Sequence, residues 1–558
     1  MVFRISLTKN EWRLLIGFLF LCVPLVLYIA RSLDDNRLTS WQWVFATKGV
    51  IGLFVFSLLG VVVALPLSLL SFSRFRVLFL FLLSFCLGAL FWSEPEVIVD
   101  AARYFSQAKH LELFGIQYFF REWGKNIFAW TDLPLLSFCY GLIFKYFGET
   151  RIFIQFFNTI LFSLSVVLVY QLGKTLWDEE VGYCAGLLLL AFPYLYTQVP
   201  LMLVDVPTMF FFLAAVWAFT RAMQCGGNGR IILAAVLLCL AILAKYSSWP
   251  FLSVLAVIFL IYLARSPQAS LKRVAALVLC CLLPLMMFFI SQQEVVVQQI
   301  KFLAEYQKPG LERWGESFIS TFFFQIHPVV SLAALASLGV ALKKRDIKYV
   351  GIAWVVLLVL VMQIKRCRYL IPIFPMVALM AAYGVCRISD RRIRMFVVFA
   401  AINTSLVVAL MAYRPFLLSM GEMNLKDAGQ FIDTLAVDGV EVLTPITKEV
   451  AVHPKITVPL LDLHTDKKIV YQDLPVSRRE LDNHATSPLR FTWEFQSPKF
   501  YENGNNVKPG ALVVVSDSPE LLLPPAALEK IKDFSRIDRF QKSTGVFLHQ
   551  TFVAVYHN

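Results

Sequence analysis

The fold of this chain is decided by stretches such as residues 203–223, which read LVDVPTMFFFLAAVWAFTRAM. An apolar run of bilayer length follows a single carboxylate, Asp205. About 20 apolar residues are enough for a helix to cross the hydrocarbon core of a membrane. A carboxylate at the edge of such a span is costly unless it has a role, so Asp205 is a candidate functional residue.

Thirteen such runs are predicted, and they fill most of the chain up to residue 413. They lie near residues 12–30, 47–71, 76–92, 152–172, 181–200, 206–223, 230–246, 248–264, 273–290, 319–342, 347–364, 369–387 and 394–413. Hydrophobic residues make up 58% of the 558 residues and charged residues 16%, whereas soluble domains carry about 25% charged residues. The predicted fold class is therefore an integral membrane all-α protein with about 13 transmembrane helices.

Short loops between the runs are rich in Lys and Arg, which is typical of cytoplasmic loops. Examples are residues 265–273, 343–346 and 388–393. The long loops 93–151 and 291–318 then lie on the opposite side of the membrane. The net charge of +13 reflects the basic loops and suits contact with anionic membrane lipids. No zinc-finger spacing, RNP-like stretch or long basic arm indicates nucleic acid.

The composition changes near residue 414, after which charged residues are more frequent and no span recurs. Residues 1–413 are interpreted as a transmembrane domain, and residues 414–558 as a soluble, extracytoplasmic α/β domain. The elements predicted there are a helix at 424–436, strands at 440–443 and 511–515, a helix at 525–533 and a strand at 547–555. In the first long loop, residues 100–123 predict an amphipathic helix at the membrane interface or, equally, a solvated connector.

Three carboxylates stand where predicted spans meet the outer loops, and they are the catalytic candidates: Glu94, Asp132 and Asp205. The apolar surroundings of Asp205 favour function over a casual surface charge. Glu94 precedes a proline, so a helix-capping role competes with a chemical one, and Asp132 is evenly balanced. Asp100 is interpreted as a solvated or pairing charge, because it stands three residues before Arg103.

Cations accumulate on the same outer side. The candidates for binding a phosphate are Lys245, Lys365, Arg366, Arg368, Tyr369 and Arg103. The cations at 365–368 oppose the positive-inside bias, which favours a phosphate-binding role over a plain anchor. Lys245 could equally extend to the interface without further function, and Tyr369 is also typical of an interfacial aromatic belt.

A carboxylate beside several cations fits one chemistry well. The carboxylate takes a proton from an acceptor hydroxyl or amine, and Lys and Arg neutralise a departing phosphate. At a membrane surface the natural phosphate is that of a lipid carrier, so we predict glycosyl transfer from a polyprenyl-phosphate sugar. No nucleotide, redox cofactor or intrinsic metal site is predicted, although a divalent ion recruited from solution stays open.

Four stretches resemble the motifs of a known family. They are Glu94-Pro95-Glu96 followed by Ala102-Arg103, Asp132-Leu133-Pro134-Leu135, Leu203-Val204-Asp205-Val206-Pro207, and Arg368-Tyr369-Leu370-Ile371-Pro372-Ile373-Phe374-Pro375. In this order they resemble the GT-C polyprenyl-phosphate-sugar glycosyltransferases, a group that contains bacterial aminoarabinose transferase and the protein O-mannosyltransferases.

The resemblance implies an inverting, single-displacement reaction at the periplasmic face of a bacterial inner membrane. It implies that Glu94 is the first-loop acid that acts as base or positions the acceptor, and that Asp205 is the second acidic position. Lys245 and the cations at 365–368 would hold the lipid phosphate. The acceptor would be a lipid, a glycan or a protein.

Three alternatives stay open from the sequence. A lipid transporter or flippase would place charges and broken helices at mid-membrane, whereas the acids here lie at span ends. A non-catalytic membrane assembly subunit would use the C-terminal residues to bind a partner. An oligosaccharide ligase or polymerase would use a related donor on a pyrophosphate carrier.

Overall fold

The structure is a computed structural model that describes residues 8–30, 45, 49–70, 75–307, 317–446, 450–472, 478–487, 489–502, 509–519, 525–543 and 550–558. Its helices, in chain order, are α1 Lys9–Leu21, α2 Val23–Ala30, α3 Val50–Leu67, α4 Arg76–Ala89, α5 Ala101–Glu122, α6 Pro134–Phe147, α7 Arg151–Leu176, α8 Glu179–Leu189, α9 Pro193–Gln198, α10 Asp205–Cys225, α11 Asn228–Ala244, α12 Val254–Leu263, α13 Pro267–Ser291, α14 Gln293–Phe302, α15 Pro328–Lys344, α16 Ile347–Val361, α17 Phe374–Val385, α18 Arg391–Val408, α19 Arg414–Leu418, α20 Met423–Thr434, α21 Thr457–Asp462, α22 Arg478–Asn483, α23 Arg490–Glu494 and α24 Pro525–Ile531. Tighter or wider helical turns occur at Tyr246–Ser253, Leu303–Gln307, Ser320–Gln325, Cys367–Ile373, Ala409–Tyr413 and Pro454–Ile456.

Within these described ranges, eight helical stretches are long and apolar enough to cross a membrane. They are Lys9–Ala30, Val50–Leu67, Arg151–Leu176, Asp205–Cys225, Tyr246–Leu263, Pro267–Ser291, Cys367–Val385 and Arg391–Leu418. The prediction of a mainly helical protein with several apolar spans is confirmed, whereas this count does not confirm the number thirteen. Four apolar helices are shorter: α4, α6, α11 and α16. The predicted spans 181–200 and 319–342 are each interrupted where a proline starts a new helix, at Pro193 and Pro328.

Helix α5 fills most of the segment predicted to be amphipathic, but its orientation differs from the expected one. Arg103 and Gln107 are buried at 6% and 1% exposure, whereas Leu113 and Phe114 are each 50% exposed. The polar face of α5 therefore points into the protein. The helix bends at Gly115, whose φ of +85° is readily accessible only to glycine.

Helices α7 and α8 cross with their backbones in contact. A Cβ atom on Gly173 would lie 2.7 Å from the Cα of Gly182, and a Cβ on Gly182 would lie 2.3 Å from the carbonyl oxygen of Tyr170. Small residues allow this close approach. Inside a lipid bilayer, helices associate through such van der Waals packing because the hydrophobic effect does not drive them together.

The C-terminal residues form one five-stranded sheet of β1 Gly439–Leu443, β2 Lys468–Val470, β3 Ala511–Ser516, β4 Arg536–Phe540 and β5 Phe552–His557. The order is β2-β1-β3-β5-β4. Strands β2, β1 and β3 run parallel, whereas β5 is antiparallel to both of its neighbours. The helices and strands expected in this region are present as α20, β1, β3, α24 and β5. The first residues of the expected strand 547–555, up to 549, lie outside the described residues.

The sheet region is joined to α5 by a buried ion pair. Lys109 Nζ lies 2.6 Å from Asp462 Oδ2 and 2.9 Å from Glu149 Oε1. The hydroxyl of Tyr501 donates to the same Asp462 oxygen at 2.7 Å. Because a buried charge is strongly destabilised when its partner is lost, this cluster fixes the C-terminal region on α5.

Candidate active site

Six side chains form an alternating row of cations and carboxylates at the ends of several helices. In spatial order they are Lys245, Asp205, Arg368, Asp100, Arg103 and Asp132. We call this row the charge ladder. Its members come from five separate parts of the chain, and all of them are buried or nearly so. Buried charges persist only when they are paired, so the ladder is a single electrostatic unit.

Asp205 is the most enclosed carboxylate of the ladder. It is 1% exposed, and its Oδ1 accepts from Lys245 Nζ at 2.6 Å. Its Oδ2 accepts from Arg368 Nη2 at 2.9 Å and from Nε at 3.2 Å. Both oxygens therefore already hold cations, so the arrangement suits Asp205 to positioning Lys245 and Arg368.

Asp100, which the sequence interpretation set aside as a pairing charge, lies in the middle of the ladder. Its Oδ2 accepts from Arg368 Nη1 at 2.5 Å, whereas its Oδ1 lies 3.5 Å from Arg103 Nη1. Its side chain is 13% exposed, more than that of Asp205 or Asp132. Burial alone raises the pKa of Asp100, but the charges of Arg368, Arg103 and Arg366 together hold it well below its usual range.

Asp132 forms the end of the ladder. Arg103 donates to it twice, through Nε to Oδ2 at 2.9 Å and through Nη2 to Oδ1 at 3.1 Å. Tyr104 and Gln107 donate to it at 3.2 Å each. A carboxylate with four donors is held firmly, so Asp132 fixes the orientation of Arg103.

The remaining phosphate-binding candidates divide into two groups. Arg366 and Lys245 flank the ring of Tyr369 at 4.7 Å and 4.8 Å from its centroid, and Arg366 Nη1 donates to the Tyr369 hydroxyl at 3.0 Å. Arg366 and Tyr369 therefore extend the ladder at its Lys245 end. Lys365 is exposed, and the structure gives it no contact with the ladder in the described part of the chain.

Local chain features explain why these side chains meet. Asp205 opens α10 and Asp100 immediately precedes α5, so both carboxylates stand at helix N-termini, where negative charge is favourable. Lys245 has an extended backbone (φ −161°, ψ 125°) between α11 and the following turn. Arg368 lies in the tight turn Cys367–Ile373, which packs against α10.

Glu94 lies apart from the ladder. It is fully buried, and neither of its carboxylate oxygens has a hydrogen-bond partner among the described residues. Burial raises the pKa of Glu94 well above its usual range, although the charges of Arg151, Arg414 and Lys426 oppose this. Neighbouring Glu96 pairs with Arg151 Nε at 2.7 Å. The structure thus brings Asp205 and Asp132 together with the cations but does not bring Glu94 to them.

Sequence reasoning gave Asp100 no role beyond that of a solvated or pairing charge, and it did not identify Tyr104 and Gln107 as site residues. A signal for them is present in the chain: positions 100, 103, 104 and 107 share one face of a helix. The polar face of this helix was expected to face solvent. In a membrane protein, however, ionisable residues of a functional site face the protein interior.

No group of three or more His, Cys, Asp or Glu side chains within the described ranges is arranged to hold a metal ion. The carboxylates of the ladder are separated by Arg368 and Arg103. A divalent ion would have to displace one of these cations before two carboxylates could bind it.

Comparisons with known structures identify the fold. Two crystal structures of ArnT from Cupriavidus metallidurans, one bound to undecaprenyl phosphate and one in the apo state, each match with a TM-score of 0.51. Sequence identity is 13% and 12%, and each match covers 85% of this chain and 97% of the other. The archaeal oligosaccharyltransferase AglB from Archaeoglobus fulgidus, in complex with an inhibitory peptide and a dolichol-phosphate, matches with a TM-score of 0.46 and 11% identity over 80% of this chain and 70% of the other.

The likeness to ArnT is one of fold, and it extends over most of both chains. In addition, residues 132–290 match the family model described as dolichyl-phosphate-mannose-protein mannosyltransferase. The matched region contains Asp132, Asp205 and Lys245. A search of curated protein sequences finds no match.

Proposed function

We propose that this protein transfers a sugar from a polyprenyl-phosphate donor to an acceptor at the periplasmic face of a bacterial inner membrane. The observation that carries the proposal is the charge ladder, which gathers Lys245, Arg368 and Arg103 around three carboxylates at the ends of apolar helices. Cations at such a position suit the phosphate of a lipid carrier whose chain lies between the helices.

The donor phosphate competes with carboxylates for the cations of the ladder. Arg368 contacts both Asp100 and Asp205, and Lys245 contacts Asp205. A phosphate that binds Arg368 and Lys245, with Arg366 and Tyr369 beside them, weakens the hold of Arg368 on Asp100. Since that hold keeps the pKa of Asp100 low, donor binding raises the proton affinity of Asp100 when a base is needed.

Asp100 is then the proposed base, in place of Glu94. It is the most exposed carboxylate of the ladder, and its Oδ1 has only a loose contact with Arg103 at 3.5 Å. The acceptor hydroxyl or amine gives its proton to Asp100 while its oxygen or nitrogen bonds to the anomeric carbon. The bond from that carbon to the phosphate oxygen breaks, and the polyprenyl phosphate leaves with the electron pair toward Arg368 and Lys245. A single displacement of this kind inverts the anomeric configuration.

The topology that accompanies this proposal is the thirteen-span arrangement, with the first long loop and the sheet region on the periplasmic side. Contacts of the sheet region support it, because they reach the ladder. The ring of Phe491 lies 4.6 Å from the guanidinium of Arg103, and Lys109 pairs with Asp462. The C-terminal region and the ladder therefore occupy the same side of the helices, and the C-terminal region covers the ladder against water.

Metal independence is also part of the proposal. The positive charges of Arg368 and Lys245 can neutralise the leaving phosphate without a divalent ion. The proposed reaction therefore draws its electrostatic stabilisation from the protein, and the carboxylates serve to orient those cations.

The test is transfer by the purified full-length protein in detergent or lipid nanodiscs. A panel of polyprenyl-phosphate sugars labelled in the sugar is supplied, and release of polyprenyl phosphate is measured with water or cell-envelope fractions as acceptors. We expect release from at least one donor, with loss of release in Asp205→Asn and Arg368→Gln. Binding of the donors without release by the wild type, or transport of a donor across a sealed vesicle without cleavage, would refute the proposal.

A further inference from the structure

A cavity of about 220 Å³ adjoins the far end of the charge ladder, between α5, the loop after it and the C-terminal region. Its lining includes Arg103, Gln107, His110, Tyr118, Ser497 and Phe500. Arg103 and Gln107 are also the residues that hold Asp132. The cavity is therefore continuous with the ladder but lies on the side away from Lys245 and Arg368.

The walls of the cavity combine aromatic rings with unused polar atoms. The ring of His110 stacks on Tyr118 with centroids 6.3 Å apart and meets the ring of Phe500 edge-on at 5.1 Å. His110 donates from Nδ1 to the carbonyl of Ser106 at 2.7 Å, which leaves Nε2 as an acceptor. The buried hydroxyl of Ser497 has no hydrogen-bond partner in the part of the chain that the structure describes.

Size and shape restrict what the cavity can hold. Pockets for drug-sized ligands have volumes of roughly 300–1,000 Å³, so a cavity of about 220 Å³ accommodates one ring-sized unit. His110 is seven residues beyond Arg103, which on a helix places it about 10 Å further along the axis. A ligand at His110 thus extends toward the ladder over the length of one or two sugar rings.

We propose that this cavity binds a pyranose unit of the acceptor, and that the acceptor is therefore a glycan or glycolipid. The C–H face of a pyranose ring packs on Tyr118 and Phe500, while one of its hydroxyls donates to His110 Nε2. A hydroxyl of the next unit then lies beside Arg103 and Asp100. The role of the cavity in transfer rests on the function proposed above, but its affinity for a pyranose does not.

Saturation-transfer NMR on the detergent-purified full-length protein tests the cavity directly. The probes are methyl β-glucopyranoside, N-acetylglucosamine and, as the competing class, an acetylated and amidated Ala-Thr-Ala peptide. We expect saturation transfer to the ring protons of at least one pyranoside. Tyr118→Ala should reduce it about fivefold, as expected for loss of one aromatic contact. Tyr118→Phe, which keeps the ring, should retain it.

Tyr146→Ala is the matched control, because Tyr146 is 66% exposed and lies at the end of α6, outside the lining of the cavity. Equal saturation transfer in wild type and Tyr118→Ala, absence of transfer to every pyranoside, or transfer to the peptide alone would each overturn the proposal. Release of polyprenyl phosphate from the same panel of labelled donors, with cell-envelope fractions as acceptors, is measured on the same samples. Its absence in wild type contradicts the proposed function, whereas its presence without pyranoside binding contradicts only the cavity.

Discussion

Replacing Asp100 and Glu94 one at a time separates the base expected from the sequence from the base that the structure favours. Asp100→Asn and Glu94→Gln each exchange one carboxylate oxygen for an amide group of nearly the same size. Asp100 lies 2.5 Å from Arg368 within the charge ladder, whereas Glu94 is enclosed elsewhere without a hydrogen-bond partner in the described residues. The two substitutions are therefore sterically matched but electrostatically different.

The expected size of each effect follows from these surroundings. Loss of a general base lowers kcat by about 10²- to 10⁴-fold, which corresponds to about 3–5 kcal/mol in activation free energy. Asp100→Asn also removes a competitor for Arg368, so the KM for the donor should stay unchanged or fall. Burial raises the pKa of Glu94 well above its usual range. Because Glu94 makes no hydrogen bond to a described residue and lies apart from the ladder, its replacement by an amide should leave kcat within about threefold.

The assay is release of polyprenyl phosphate from a labelled donor under saturating acceptor, with kcat and the KM for the donor determined separately. Thermal unfolding of each purified variant shows whether it has folded. Near-normal kcat in a folded Asp100→Asn variant, or a loss of at least 10²-fold in a folded Glu94→Gln variant, would refute the assignment of the base.

Three further outcomes are expected. Arg368→Gln should raise the KM for the donor by about 10- to 100-fold, because it loses charged hydrogen bonds worth about 1.5–3 kcal/mol. Lys365→Gln, at an exposed position, should leave the KM unchanged. Equal effects of the two substitutions on the KM would contradict the ladder as the phosphate site. EDTA followed by gel filtration should leave transfer activity intact, and restoration of lost activity by Mg²⁺ or Mn²⁺ would contradict metal independence. Burial raises the pKa of Glu422 from its ordinary 4.5 to about 8, so as pH rises from 5 to 8 the unfolded chain releases this proton before the folded chain does, and stability falls. The melting temperature of wild type should drop across this range relative to Glu422→Gln, and parallel curves for the two proteins would show that Glu422 does not titrate in this way.

The apolar spans could be predicted from the sequence because length and hydropathy are local properties. The stretch 203–223 contains its own evidence for a helix, and α10 at Asp205–Cys225 covers the predicted span 206–223. The number of full-length spans could not be read in the same way. Prolines at 193 and 328 restart helices inside predicted spans, and neighbouring helices rather than local sequence decide whether such breaks are tolerated.

The candidate site was predictable only in part, since its members are far apart in the sequence. Arg368 meets Asp100 across 268 positions, and no local pattern records that pairing. Asp100 and Arg103 have the spacing of an exposed helical pair, which is the more frequent situation. Gln107 was the overlooked indication of a buried site. It adds a third polar group to the helical face of Asp100 and Arg103, which extends that polar face by another turn.

The backbone contact between Gly173 and Gly182 affects the position of Arg151 at the distant end of α7. Arg151 is 22 residues from Gly173 on the same helix, which corresponds to about 33 Å. Any larger side chain at Gly182 would tilt α7 about this contact, and a tilt of only 5° would displace Arg151 by about 3 Å over such an arm. Arg151 grips Glu96, and Glu96 accepts from the amide of Met202, three residues before Asp205. A single methyl group at Gly182 would therefore shift Arg151, Glu96 and the chain that leads to Asp205, at the opposite end of α7.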